Sequence, residues 1–381
     1  MASVPNDTAV EEPEDAGTVI ATVISVVLTA AVLWTAFSFR MYRKAKDAAR
    51  AAKPDATGPT HKDIEYVRDL IAEQAATGKQ VTKETLLRDI ASAPAMVTLG
   101  NKAVYAVPRK LRKLHALLLK KGVIGADIAV PDGGEGAVRL LLAYQLHSSL
   151  EALLQKDARL DAVVAELQVA AADGALFILP SLYEASIKGK WLQPALATLA
   201  LQVCLRSGLW SELDPKCVDI ARAQLEGQGA PYPDVSLRLT AKSWMGQPNI
   251  SPGTMIEVGV AVERAHAGAS RAKYQKKVPT REGTLKPVME TYSCLVSRES
   301  DTEGGSKGSI VGTVDVDVFD VMQEEARSTL KMVAPKQPGK YELRVDLRSA
   351  IVLGVRAETT CAFEVVSTEA LAAQHQDDDY D

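Results

Sequence analysis

Apolar positions along this chain obey three rules in succession. From Gly17 to Phe39 the sequence GTVIATVISVVLTAAVLWTAFSF holds no charged residue and is closed by Arg40, Arg43, Lys44 and Lys46. A helix of that length rises about 35 Å, enough to cross a hydrocarbon core of about 30 Å. From residue 62 to residue 230 the spacing becomes helical. Ile64, Val67 and Ile71 form one stripe, Leu86, Leu87 and Ile90 a second, and Leu111, Leu114 and Leu118 a third that runs into the stop signal Lys120-Lys121-Gly122. The stretches Gly136–Leu154, Ala158–Ala172, Gly174–Ile187 and Trp191–Leu209 are apolar on wide faces and predict four packed helices. Asp173-Gly174 is expected to separate the middle two, while Pro180 and Pro194 start or kink helices.

After Pro231 the period drops to two. Val235, Leu237 and Leu239 alternate with polar residues, as do Ile256–Val262, Val314–Val318, Tyr341–Leu347 and Cys361–Val365, with turn clusters between them. Such runs predict an antiparallel β-sandwich. Ala267–Lys286 and Arg298–Ser309 read as long loops. The expected fold class is α+β. Its parts are an acidic tail (1–16), a membrane helix (17–39), a basic linker (40–61), a helical domain (62–230), an Ig/fibronectin-III-like sandwich (231–367) and an acidic tail (368–381).

Charge orients the first helix. The segment before it contains Asp7, Glu11, Glu12, Glu14 and Asp15 but no Lys or Arg. It therefore lacks the basic region of a cleavable signal, and the apolar run is longer than a signal core. Basic residues stay cytosolic, which places the N-terminus outside the cytosol and the remainder inside. Trp34, Phe37 and Phe39 then form the interfacial aromatic belt beside Arg40, Arg43, Lys44 and Lys46. Asn6-Asp7-Thr8 is a glycosylation sequon on the far side.

Net charge of −4 gives no reason to expect a nucleic-acid partner. Cys204, Cys217, Cys294 and Cys361 have no close-spaced pair and read as reduced thiols. No phosphate-cradling glycine loop, HExxH or metal-spaced Cys/His set occurs. The five histidines are dispersed and lack an evident carboxylate partner. Gly304-x-Ser306-x-Gly308 matches a nucleophile elbow in letters but follows a polar run instead of a strand. These observations predict a non-enzymatic protein without a cofactor.

The order of parts is informative. PGKYELRVDLRSAIVLG, with Pro338-Gly339-x-Tyr341, Leu347-Arg348-Ser349 and Gly354, resembles the last sandwich strands of the Sec-sixty-three family, the J-domain partner of the endoplasmic reticulum protein-conducting channel. Pro233–Ala265 is similar to that family's first sandwich strands. The block LLLAYQLHSSL to LQPALATLALQVCLRSGLW is similar to its first cytosolic helical segment. Ala350 and Val352 stand where the family usually has an acid and an aromatic, and Trp210–Pro231 is shorter than its helix-loop-helix unit. No His-Pro-Asp tripeptide is present, so the chaperone-recruiting J domain is missing.

The resemblance implies a single-pass protein of the endoplasmic reticulum membrane, lumenal at its N-terminus and cytosolic at its C-terminus. Its implied partners are Sec channel subunits, other translocon accessory subunits, membrane lipid and a separate J-domain protein. Trp244, in an exposed loop, and Asp377, Asp378, Asp379 and Asp381, in the acidic tail, are the candidate partner contacts. The alternative is a membrane-tethered adaptor or lipid-binding β-sandwich unrelated to translocation.

Overall fold

In the computed structural model, residues 58–122, 124, 132–150, 162–246, 249–268, 276–279, 285–288, 290–298, 309–349 and 351–367 are described. The predicted membrane helix with its flanks (Trp34, Phe37, Phe39, Arg40, Arg43, Lys44, Lys46), the Gly304–Gly308 motif and the acidic tail with Asp377, Asp378, Asp379 and Asp381 lie outside these residues.

Eight α-helices come first among the described residues: α1 His61–Ala76, α2 Lys83–Ala91, α3 Pro94–Ala106, α4 Pro108–Lys120, α5 Gly134–Gln145, α6 Ala162–Lys188, α7 Leu192–Ser207 and α8 Pro215–Gly227. Local chemistry starts several of them. Thr60 and Asp63 form a reciprocal capping box on α1, and the Asp63 carboxylate also accepts the Ala95 N–H at 2.8 Å, tying α1 to the first turn of α3. Pro94, Pro108 and Pro215 occupy first-turn positions, where the missing N–H costs nothing. All three stripes point inward: Ile64, Val67, Ile71, Leu86, Ile90, Leu111, Leu114 and Leu118 belong to one buried cluster. Small residues let helices touch backbone to backbone, since a Cβ on Gly100 of α3 would lie 1.8 Å from the Gly134 carbonyl oxygen of α5.

One helix replaces two predicted ones. α6 runs unbroken through Asp173, Gly174 and Pro180. Gly174 does not end the helix but makes room for a neighbour, because a Cβ there would meet Met96 Sδ at 2.7 Å. Val163–Lys188 is also long and apolar enough to cross a bilayer by length and composition, so Gly17–Phe39 is not alone in that respect. Val164, Ala171, Ala175, Ile178, Leu179 and Leu182 of α6 are nevertheless part of the helical core.

Nine strands follow among the described residues: β1 Val235–Ser243, β2 Met255–Arg264, β3 Lys276–Pro279, β4 Leu285–Val288, β5 Glu290–Arg298, β6 Ile310–Val318, β7 Glu325–Val333, β8 Gly339–Ser349 and β9 Arg356–Val365. The fold is thus mixed helix and sheet. β1-β2-β7 form one antiparallel sheet, β6-β5-β8-β9 a second and β3-β4 a hairpin. That hairpin occupies part of the region expected to be a loop, Ala267–Lys286. The two larger sheets enclose one core: Ile256, Val258, Val260 and Val262 from the first meet Tyr292, Val296, Val316, Leu343 and Val345 from the second.

The helical and β regions share a seam. Leu192, Ala195 and Leu199 of α7 bury Leu295 of β5 and Ile310 of β6. Leu353, in the β8–β9 turn, joins the helical core, and its carbonyl accepts the Tyr232 hydroxyl at 2.8 Å. Arg348 donates to Glu212 at 2.6 Å. Arg348 and Leu353 lie in the Pro338–Val366 stretch on which the family resemblance is sharpest, and both contribute to this seam.

Candidate functional site

Three places concentrate chemistry. The first is a buried charge cluster between the two larger sheets. Arg264 ends β2 and Glu290 begins β5, and the guanidinium grips the carboxylate through two parallel hydrogen bonds of 3.0 Å. His266 Nε2 lies 3.1 Å from both carboxylate oxygens, and the Tyr292 hydroxyl donates to one of them. Arg264 also donates to the carbonyls of Gln323 and Asp320 in the β6–β7 connection. Because a carboxylate only accepts, the Nε2 of His266 carries the proton facing Glu290. Nδ1 then faces the backbone of Asp234, with the N–H at 3.1 Å and the carbonyl at 3.0 Å.

Burial alone would raise the Glu290 carboxyl, but the hydrogen bonds from His266, Arg264 and Tyr292 and the Arg264 charge outweigh it and hold the group down at about 2. Burial and the neighbouring Glu290 push the Tyr292 phenol up. An acid held that low, with its lone pairs occupied, is poorly placed to shuttle protons near neutrality. The cluster instead pins one sheet to the other. Beside it opens a cleft of about 630 Å³ whose polar lining includes Asp234, Ser236, Glu263, Arg264, Glu324 and Glu325. Among the described residues, no group of three His, Cys, Asp or Glu is placed to hold a metal ion.

The second place is the outer face of the β1-β2-β7 sheet. Strand register sets Lys242, Glu257 and Lys331 in one row. The backbone bond from Trp244 N–H to the Met255 carbonyl, at 3.0 Å, and the Met255–Val333 pair extend the ladder to a terminal row of Trp244, Met255 and Val333. All three are exposed, at 44%, 43% and 56%, and the adjoining Met245 is exposed at 81%. The Lys331 ammonium sits over the Trp244 ring, 3.2 Å from its centroid, and holds the indole in place. Further along this face Thr240, Gly259 and Thr329 make a flat row. Then Arg238 pairs with Glu263 and Arg327 with Glu325. Trp244, singled out from sequence, thus belongs to an apolar row that includes two residues the sequence did not single out.

The third place is the thiols and the histidines of the helical region. Cys204, Cys217 and Cys294 are free and buried, and Cys361 is free and partly exposed. Burial pushes Cys204 and Cys294 up to about 12, which leaves little thiolate at neutral pH. His147 stacks on Trp210 with ring centroids 5.0 Å apart and sits 2.7 Å from the Ala143 carbonyl. Burial, aided by the nearby Lys83 charge, lowers its pKa. His115 is buried in the helical core.

The sequence offered no sign of the Arg264–His266–Glu290–Tyr292 cluster. Arg264 and Glu290 stand on different sheets, with His266 in the turn after β2, and only the packing of those sheets brings them together. The expectation that no histidine has a carboxylate partner fails at this residue.

No protein-family model and no curated protein matches the chain. Among solved structures, the bacterial hydrophobin BslA aligns with 35% of this chain and 99% of its own at 13% identity and a TM-score of 0.18. A conjugative transposon lipoprotein from Bacteroides eggerthii aligns with 34% of this chain and 95% of its own at 7% identity and a TM-score of 0.18. The sporulation control protein Spo0M from Bacillus subtilis aligns with 34% of this chain and 49% of its own at 10% identity and a TM-score of 0.20. Likenesses this weak assign neither family nor function.

Proposed function

We propose that this chain is a non-enzymatic subunit of the endoplasmic reticulum protein-translocation machinery, related to the Sec-sixty-three family. On this reading residues 17–39 anchor it with the N-terminus lumenal. The helical region and an Ig/fibronectin-III-like sandwich lie in the cytosol and dock on the channel to support post-translational translocation. Docking favours an open channel only if the docked surface binds the open state better than the closed one.

The observation that carries the reading is the exposed Trp244–Met255–Val333 row at the rim of an uncovered sheet. A clamped aromatic among aliphatic residues, bordered by charge, has the composition of an interface centre with a polar rim. The other sheet is held to the helical region through Arg348, Leu295 and Ile310, which leaves this one free to dock.

Affinity purification of the tagged full-length protein in mild detergent tests this reading. Channel subunits at near-stoichiometric yield, lost in a Trp244→Ala/Val333→Lys variant, are expected. Their absence from the wild-type preparation overturns it. Protease added to intact microsomes should remove the sandwich, and full protection would reverse the orientation.

A further inference from the structure

The chain from Ile90 to Ala126 contains no Asp or Glu, and its cations gather on one helix. α4, PRKLRKLHALLLK, buries Leu111, Leu114, His115 and Leu118 and turns the opposite side to solvent. At 100° per residue Arg109, Lys113, Ala116 and Lys120 fall on a single outward line about 16 Å long, with Arg112 and Leu119 beside it. Arg109, Arg112, Lys113, Lys120 and Lys121 make no ion pair with any described residue. Several surface cations elsewhere among the described residues do find carboxylates, as at Arg68–Asp69, Arg238–Glu263, Arg327–Glu325 and Arg344–Glu358. The same region exposes apolar groups: Leu119 is 42% exposed, and Tyr105, at the end of α3, is 92% exposed.

We infer that the outward face of α4 is a contact surface for the anionic headgroups of a phospholipid leaflet. A straight row of uncompensated cations, broken only by a small Ala116 and flanked by an exposed leucine, suits a flat anionic surface. A discrete ligand would call for a converging pocket, which this convex helix lacks. Long Lys and Arg side chains reach headgroups while Leu119 and Tyr105 enter the interfacial layer. The inference rests on the membrane-anchored reading in one respect. From Phe39 to the start of α1 at His61 the chain is short enough to keep α4 within reach of the leaflet, since each residue spans at most about 3.5 Å. The anchor then supplies proximity, and α4 sets which side of the cytosolic body faces the bilayer.

Full-length protein carrying Ala116→Cys in a Cys361→Ser background, labelled with a polarity-sensitive fluorophore, is reconstituted into phosphatidylcholine vesicles with or without 30% phosphatidylserine. We expect emission at least about twofold higher with phosphatidylserine. The gain should vanish at high salt, where screening shortens to about 3 Å at 1 M. It should also vanish in Arg109→Glu/Lys113→Glu/Lys120→Glu, whose surface substitutions leave the core stripe intact. A protein that floats with both vesicle types while the probe reads the same in each overturns the inference. So does a signal present in neutral vesicles but abolished by deleting residues 374–381, which would make the acidic tail the occupant. Failure to float with neutral vesicles refutes the anchor instead, and the soluble protein's response to phosphatidylserine vesicles then decides the α4 contact on its own.

Discussion

The two larger sheets of the β region are alike in making but opposite in surroundings. The β6-β5-β8-β9 sheet buries its outer face against α7 through Leu295 and Ile310. The β1-β2-β7 sheet leaves its outer face open, with Trp244, Met255 and Val333 exposed in one row. The covered sheet is architecture, since its outward side chains hold the helical region. An open sheet ending in a clamped tryptophan is the surface on which a partner contact would show. Apolar residues are ordinary on protein surfaces when scattered singly, and it is their alignment across three neighbouring strands that calls for an explanation.

Substitutions rank this contrast from large effects to small. Glu290→Ala removes the acceptor that ties Arg264 of the open sheet to the covered one, and leaves a buried guanidinium uncompensated. A loss of about 3–5 kcal/mol in denaturant unfolding is expected. Leu295→Ala cuts the covered face itself and is expected to cost about 2–5 kcal/mol in the same assay. If Leu295→Ala cost no more than a surface substitution, the distinction between the two sheets would fail. Arg348→Ala breaks the partly buried pair with Glu212 across the seam and should cost about 1.5–3 kcal/mol. Trp244→Ala loses the Lys331 contact and little packing, about 0.5–1 kcal/mol, so any larger consequence should appear in partner capture.

Acidification offers a finer test. The Glu290 carboxyl titrates at about 2 in the fold against an ordinary value of 4.5. A depressed folded value means the stabilisation is present above the ordinary carboxylate range and is lost as pH falls from there toward about 2. Denaturation curves should therefore drop steeply over that window, and Glu290→Gln should flatten the drop. Thiol labelling gives the mildest readout. Cys361, partly exposed, should react first, with Cys204 and Cys294 protected until unfolding.

Legibility in the sequence follows the same contrast. Strands with one buried face, such as β2 with Ile256, Val258, Val260 and Val262, announce themselves by alternation. β5 does not. Tyr292, Cys294 and Val296 face the core between the two sheets while Leu295 faces α7, so nearly the whole strand is buried and its period of two disappears. β7 alternates only weakly, with Ala326, Ser328, Leu330 and Met332 as its inward set. Helix ends misled in a comparable way at Gly174, whose letters suggest a stop and whose role is close packing. Of the candidate site, Trp244 was visible as an aromatic in a turn-rich segment, whereas Met255 and Val333 join it only through strand register.

The sequence by itself determined the helical period up to residue 230, the period of two beyond it, and the acid-free basic face of α4. These are properties of neighbours in the chain, where spacing alone decides which side chains share a face. Tertiary structure alone decided that Arg264, His266, Glu290 and Tyr292 meet, that Leu295, Ile310 and Arg348 form the seam with the helices, and that one sheet is covered while the other is open. Each joins residues from separate elements, and local periodicity carries no information about which element will pack against which.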